Sequence, residues 1–278
     1  MTLLALAIIT SFVFGQLFKW AQRLGCHAPL VVTVNYLVVA LLIALYLLCQ
    51  GEIALSATVW KVGLVTGFVF IVAMCLMTWA LTVSDVATIL TAFRLAIVVP
   101  IIASVILWQE VVTPIQIVGI TMALVSLLLM SGGARALTKG TLLRHGGLAI
   151  AVCTMQGVSH TGARWVHHAG LDDRHMEVLL VTAATAGLLG TLALVVLRRP
   201  VDRASVRMGI GIGVFNLVAL AILLATLARF QSAQFFPISG CALVIMDNVF
   251  AHLVWRERLS LLSAIGAVIG GGSMLLVL

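Results

Sequence analysis

Residues 108–119, WQEVVTPIQIVG, and residues 255–266, WRERLSLLSAIG, share three landmarks in the same order. The Trp, Glu and Gly of the second stretch each lie 147 positions after those of the first, so the two stretches align without a gap. Each stretch follows a long apolar run and leads into another. This repetition at a fixed offset indicates an internal duplication of the chain.

The composition places the chain in a membrane. It has 278 residues, of which 63% are hydrophobic and 9% charged. A soluble domain carries about 25% charged residues, so the polar surface needed in water is missing. The net charge of +7 does not indicate a nucleic-acid partner, because basic residues in short loops orient membrane helices. We therefore predict an integral, multi-pass protein of the plasma (inner) membrane with the lipid bilayer around it.

Apolar runs of about 20 residues predict ten transmembrane helices in an all-α fold. Their predicted ranges are 2–19, 29–48, 62–82, 86–107, 113–131, 147–165, 176–197, 208–229, 234–255 and 260–278.

The duplication divides these ten helices into two groups of five. We predict a first repeat over residues 1–131, a connecting loop over 132–146 and a second repeat over 147–278. Because five is odd, the second repeat enters the membrane from the opposite side. Inverted repeats of this kind are the architecture of many secondary transporters, in which we expect one half to rock against the other.

Several motifs resemble a known group of proteins. They are the two Trp-x-Glu segments, each with a Gly nine residues after the Glu, together with Phe236-Pro237-Ile238 and Gly15-Gln16-Leu17-Phe18-Lys19. In these features the chain resembles the drug/metabolite transporter superfamily, EamA type. The resemblance implies a ten-helix carrier with a central cavity between two inverted halves. It also implies transport of small organic solutes such as amino acids, metabolites or drugs.

Two charged residues within the predicted helices are the first candidates for function. An ionised side chain at a helix centre costs about 2.5–3.5 kcal/mol on insertion scales, so Asp247 should face protein or water. It is a candidate proton-coupling or cation-binding group, or a carboxylate held by neighbouring hydroxyls. Arg94 is a candidate contact for a substrate carboxylate or phosphate. Arg94 is equally suited to pair with Asp247 or to reach Asp85.

Neutral polar residues inside predicted helices form a second group of candidates. Each needs a hydrogen-bond partner in an apolar environment, so it either lines a cavity or links two helices. The group comprises Asn35, Tyr36, Gln156, His160 and Asn216.

We expect the repeated motif to be structural. Glu110 and Glu257 closely precede helices whose predicted N-caps are Thr113 and Ser260, where a carboxylate meets the positive end of the helix dipole. The full set of repeated landmarks is Trp108, Glu110, Gly119, Trp255, Glu257 and Gly266.

The sequence as a whole predicts a secondary transporter that works without a cofactor or bound metal. Its expected partners are a small-molecule solute and, as a coupling ion, a proton or cation. A monomer and a homodimer are both compatible with the fused halves. Two alternatives remain open. One is an intramembrane enzyme acting on lipid, for which Ser159 with His160 is the nearest candidate pair, and the other is a membrane assembly factor that transports nothing.

Overall fold

The computed structural model describes residues 1–51, 55–84, 86–131, 139–254 and 260–278, except for the side chains of residues 82, 86, 87 and 139–145. Trp255 and Glu257 of the repeated motif lie outside the described residues. No β-strand occurs in the described ranges.

The described residues form α-helices joined by short connections. The helices are α1 Thr2–Arg23, α2 Ala28–Gln50, α3 Ala57–Val83, α4 Val86–Leu95, α5 Val98–Trp108, α6 Pro114–Met130, α7 Lys139–His168, α8 His175–Val196, α9 Arg203–Leu227, α10 Ser232–Leu253 and α11 Leu261–Val277, with a single 3₁₀ turn at Asp172–Arg174. Among the described residues, seven helical segments are long and apolar enough to cross a membrane, and α6 and α11 are shorter apolar helices.

These observations confirm the predicted all-α, polytopic membrane fold. Most helix ends differ from their predicted bounds by up to five residues, and two helices differ more. The helix predicted over 86–107 is broken into α4 and α5. The helix predicted over 147–165 begins eight residues earlier, at Lys139, so part of the predicted connecting loop is helical.

The break between α4 and α5 has a local cause. α4 ends at Leu95 and α5 begins at Val98. Pro100 has no N–H to donate to the Ala96 carbonyl, which a continuous helix would require. The N–H of Val99 donates to the Ala96 carbonyl at 3.1 Å, so the chain makes a tighter turn at this point.

Tertiary packing also supports the break, because α10 runs through its own Pro237 without interruption. Two glycines lie against the broken segment. A Cβ atom on Gly157 of α7 would lie 2.3 Å from Cβ of Val99, and one on Gly240 of α10 would lie 3.3 Å from Cδ1 of Ile97. The α7 helix therefore approaches the break more closely than a residue with a Cβ atom would permit, and α10 is in tight contact with it.

The chain forms two compact units, and each contains segments from both sequence halves. Unit 1 comprises Met1–Thr78 and Gly162–Ala228, and unit 2 comprises Trp79–Thr161 and Arg229–Leu278. Unit 1 is built mainly from α1, α2, α3, α8 and α9. Unit 2 is built mainly from α4, α5, α6, α10, α11 and the first part of α7.

Unit 2 contains a reciprocal helix crossing between positions related by the offset of 147. A Cβ atom on Gly119 of α6 would lie 2.5 Å from Cγ2 of Val277 in α11. A Cβ atom on Gly266 of α11 would lie 2.8 Å from Cγ of Met130 in α6. Val277 follows Met130 by 147 positions, as Gly266 follows Gly119. The same contact is therefore made twice, with the roles of the two repeats exchanged.

Unit 1 contains the same kind of reciprocity. A Cβ atom on Gly63 would lie 2.6 Å from Cβ of Val181, and one on Gly209 would lie 2.7 Å from Cβ of Val34. The two glycines are 146 positions apart and the two valines 147. The segment from Val181 in α8 to Gly209 in α9 is therefore one residue shorter than the segment from Val34 in α2 to Gly63 in α3. One turn further, the corresponding contacts are Gly67 with the Thr182 carbonyl and Gly213 with the Asn35 carbonyl.

Helix starts are repeated as well. Thr113 Oγ1 accepts a hydrogen bond from the Gln116 N–H at 3.3 Å, which caps α6. At the equivalent position, Ser260 Oγ accepts from the Ser263 N–H at 3.1 Å and caps α11. Each hydroxyl satisfies a backbone donor that has no partner within its own helix.

Candidate functional site

The centre of the candidate site is an ion pair in unit 2. Arg94 in the last turn of α4 donates through Nη2 to Oδ2 of Asp247 in α10. Of the alternatives for Arg94, the structure shows the pairing with Asp247. The side chains remain 31% and 27% exposed, respectively. The pair combines a bidentate anion donor and a carboxylate within one small region of apolar helices.

The α4–α5 break positions this pair. Arg94 lies next to the end of α4, two residues before Ala96, and a Cβ atom on Gly157 would lie 2.9 Å from the Ala96 carbonyl. The end of a broken helix presents backbone polar groups together with its side chains, a feature of substrate and ion sites in transporters.

Two of the neutral candidates, Gln156 and His160, also lie in unit 2. Gln156 Nε2 lies 3.2 Å from His160 Nε2, one turn along α7. The His160 ring is 5.7 Å from the ring of Phe236 at the start of α10. This contact lies within one helix, so it is not the interhelical link that was one of the two alternatives for these residues.

The other three candidates lie in unit 1. Asn35, Tyr36 and Asn216 are buried, and the structure therefore does not gather all seven candidates in one unit. Asn35 Oδ1 is buried without a hydrogen-bond partner among the described residues. The Tyr36 ring packs edge-on against Phe70, with centroids 6.3 Å apart.

Tyr36 and Phe70 also line a small cavity in unit 1. Its volume is about 20 Å³, which is room for about one water molecule. Thr66, at 3% exposure, lines the same cavity, and its buried Oγ1 has no hydrogen-bond partner among the described residues. The remaining lining residues are Ala163, Val166, Val178, Leu179, Thr182, Ala183, Leu220, Leu223 and Leu224.

Glu110 of the repeated motif contacts the N-terminus of α10, a helix other than the one expected. Its Oε2 accepts from the backbone N–H of Ser232 at 2.9 Å and its Oε1 from the Ser232 hydroxyl at 3.4 Å. Ser104 Oγ lies 2.5 Å from the same hydroxyl. The helix after Glu110 is instead capped by Thr113. Glu110 thereby places a carboxylate at the positive end of α10.

Sequence reasoning missed Arg164. It falls at the end of the predicted helix 147–165 and was not singled out, but it lies in α7 at 3% exposure and donates to the carbonyl of Leu227, the last residue of α9. A cation at the C-terminus of a helix is favoured by the helix dipole. Residue type alone carried no signal for this role, because the helix extends beyond the purely apolar run.

Comparisons with known proteins agree with this fold. The model of the EamA-like transporter family matches residues 1–132. No curated protein matches the chain. A solved crystal structure, described only as that of a protein, covers 99% of this chain and 95% of its own, with a TM-score of 0.77 and 14% identity. At this identity the likeness shows the shared fold alone.

Proposed function

Because residues 1–132 place the chain in the EamA-like transporter family of the drug/metabolite transporter superfamily, we propose that it is a secondary transporter of a small organic solute that works by alternating access. The protein is an integral, multi-pass membrane transporter of the drug/metabolite type. Beyond this family membership, we propose that the solute is a small organic molecule, that transport occurs by alternating access and that the protein lies in the plasma membrane.

The Arg94–Asp247 pair is the observation that carries the proposal. Charged residues inside membrane helices are costly and mark substrate or ion pathways. Here both charges are partly exposed and lie beside a helix break. Their partial exposure among apolar helices supports a role in contacting a solute.

We assign complementary roles to the two residues. Arg94 presents a planar donor suited to a carboxylate or phosphate. Asp247 presents an acceptor suited to a cation, an ammonium group or a proton. A solute that engages one of them competes with the other residue of the pair, so solute binding and the ion pair are coupled.

The two sequence halves do not move as separate bodies in this proposal. A rocking motion of one half against the other would separate Gly119 from Val277 and Gly266 from Met130, which are close contacts inside unit 2. The same motion would separate Gly63 from Val181 inside unit 1. Each unit, built from both halves, is therefore the better candidate for a rigid body.

The enzymatic alternative has no geometric support at its candidate residues. Ser159 Oγ is buried without a hydrogen-bond partner among the described residues, and His160 lies against Gln156. A nucleophilic serine needs a base within hydrogen-bond reach. Neighbouring residues of one helix point about 100° apart, which places the two side chains in different directions.

A thermal-shift screen of the purified protein in detergent tests the proposal. Amino acids, organic acids, polyamines, sugars and nucleosides are added at several pH values to the wild type, Asp247→Asn and Arg94→Gln. A ligand at 100 times its Kd adds about 2.7 kcal/mol of stability. Thr121→Val removes an exposed hydroxyl on α6 and is the control variant.

We expect one solute class to stabilise the wild type and Thr121→Val, and the response to be lost in one or both charge variants. If the solute stabilises all four proteins equally, the ion pair is not the site. If no solute in any class stabilises the wild type, the assembly-factor alternative is favoured over transport.

A further inference from the structure

Two adjacent faces of α10 contact different parts of unit 2. Gly240 and Asp247 are seven residues apart, so they share a face. Both contact the broken helix: Gly240 lies against Ile97, and Asp247 pairs with Arg94. This face carries the charged group of the candidate site.

The next face is turned by about 100° and contacts α6 and α11. Cys241 and Asn248 lie on it, again seven residues apart. Asn248 Nδ2 donates to Ser263 Oγ in α11 at 3.0 Å. Cys241, fully buried, has its Sγ 3.7 Å from Ser273 Oγ and 3.9 Å from the Ala123 carbonyl.

The partner of Asn248 is held firmly. Ser263 is 7% exposed, and its N–H donates to the N-cap Ser260, so it belongs to the fixed first turn of α11. That helix is in turn joined to α6, since Ser126 Oγ donates to the Gly266 carbonyl at 2.7 Å. The α6–α11 pair is thus a scaffold against which the rotation of α10 is set.

We infer that Asn248 is a positioning residue for Asp247. Its hydrogen bond to Ser263 fixes the rotation of α10 about its axis, and this rotation directs the neighbouring carboxylate at Arg94. The role of the ion pair in solute binding rests on the proposed function, whereas the contacts that position Asp247 are present without a substrate. A rotation of α10 by a fraction of the angle between the two faces would separate Asp247 from Arg94.

A double-mutant cycle tests the inference without any ligand. The loss of melting temperature caused by Asp247→Asn is measured by thermal unfolding in detergent, in the wild-type background and in the Ser263→Ala background. Ser263→Ala removes the acceptor of the Asn248 bond and leaves the side chains of Asp247 and Arg94 in place. Thr121→Val serves as a control background, because its hydroxyl bonds within α6.

If Asn248 positions Asp247, the loss caused by Asp247→Asn falls to less than half in the Ser263→Ala background and is unchanged in the Thr121→Val background. The loss caused by Asp247→Asn is reduced to the same extent in the Asn248→Leu background. In the exchanged background, Asn248→Ser with Ser263→Asn, it returns to most of its wild-type size. An Asp247→Asn effect of equal size in all backgrounds overturns the inference. Because no ligand is used, this outcome is independent of the thermal-shift screen for a transported solute.

Discussion

The α6–α11 crossing and the contact between α4 and α10 are both built from equivalent elements of the two repeats, yet they differ in symmetry. At the crossing, Gly119 and Gly266 are equivalent and make equivalent contacts. At the contact between α4 and α10, the offset of 147 positions places Cys241 opposite Arg94 and Asp247 opposite Pro100. The glycine contact thus occurs at both positions related by this offset, whereas each charged residue occurs at only one of them.

This difference indicates that the α6–α11 crossing is structural and that the contact between α4 and α10 contains the candidate site. A reciprocal contact between small residues serves close packing, which both copies need equally. Arg94 and Asp247 form one ion pair, and the reciprocal pair is absent because the equivalent positions are Cys241 and Pro100. The divergent positions are therefore the ones at which a function specific to this chain is expected.

Substitutions in the crossing should have the largest effect on stability. Gly119→Val and Gly266→Val place a Cβ atom within 2.5 Å and 2.8 Å, respectively, of a neighbouring side-chain carbon. Overpacking of this kind costs about 1–3 kcal/mol or more, and the symmetry predicts similar losses at both sites. Thermal unfolding in detergent measures them. Gly271→Val, where no atom lies within 4 Å of the added Cβ, is the matched control in α11.

A large loss at one of these glycines and none at the other would contradict the reciprocal packing. A loss of the same size in the Gly271→Val control would show that valine in the helix, and not the crossing, is responsible.

Removal of one charge should have an intermediate effect. Arg94→Gln leaves Asp247 without its ion-pair partner and should cost about 1–2 kcal/mol, less than the 3–5 kcal/mol of a fully buried pair because both groups are partly exposed. The double variant Arg94→Gln with Asp247→Asn should recover part of this loss. The same unfolding assay measures both variants, and strictly additive losses would argue against an energetic coupling between the two residues.

Much of the fold followed from the sequence because the length of apolar runs and the recurrence of a motif can both be read directly from it. The apolar runs located the helices, and the Trp-x-Glu and Gly spacing located the repeat. The break at Ala96–Ile97 was not predicted from Pro100. A proline alone does not determine a break, because α10 continues through Pro237. It required knowledge of the glycines on α7 and α10 that pack against it.

The candidate site was predicted less completely. Arg94 and Asp247 were identified because charges are rare in such helices, but their pairing was one of several alternatives. The contact of Glu110 with α10 and the bond from Asn248 to Ser263 join residues far apart in the chain. Neither contact leaves a periodic pattern, so only the tertiary structure reveals them.

A smaller effect is expected where the repeats differ inside unit 1. The Gly67–Gly213 equivalence places Thr66 of the first repeat opposite Ile212 of the second. Because the Thr66 hydroxyl is buried without a partner among the described residues, Thr66→Val should be neutral or stabilising by up to about 1 kcal/mol. Thr121→Val, which removes an exposed hydroxyl bonded to the Ile117 carbonyl within α6, is the control.

Both threonine variants are compared with the wild type in one thermal unfolding series. A clear loss of stability in Thr66→Val would indicate that its hydroxyl binds a water molecule or solute in the cavity.

The smallest effect concerns helix caps outside the membrane. Ser56 Oγ accepts from the Val59 N–H at 3.3 Å, and at the equivalent position Asp202 Oδ1 accepts from the Ser205 N–H at 2.7 Å. Hydrogen bonds from the Ser205 side chain and backbone lower the pKa of Asp202. A lowered folded-state pKa contributes stability above the unfolded pKa, and this contribution is lost as pH falls through the folded value.

Asp202→Ser should therefore remove a small acid-induced loss of stability and make the second cap resemble the first. Melting temperatures between pH 7 and acid, measured on the wild type and this variant, test the effect. Parallel pH profiles would show that the Asp202 cap contributes nothing that titrates.

The most direct test of the central claim is solute flux into proteoliposomes by the wild type, Asp247→Asn and Gly271→Val, with the stabilising solute from the thermal-shift screen. The claim that the divergent ion pair carries transport predicts flux by the wild type and Gly271→Val and its loss in a folded Asp247→Asn. Flux by Asp247→Asn at the wild-type rate would contradict the claim and reduce the pair to a structural contact.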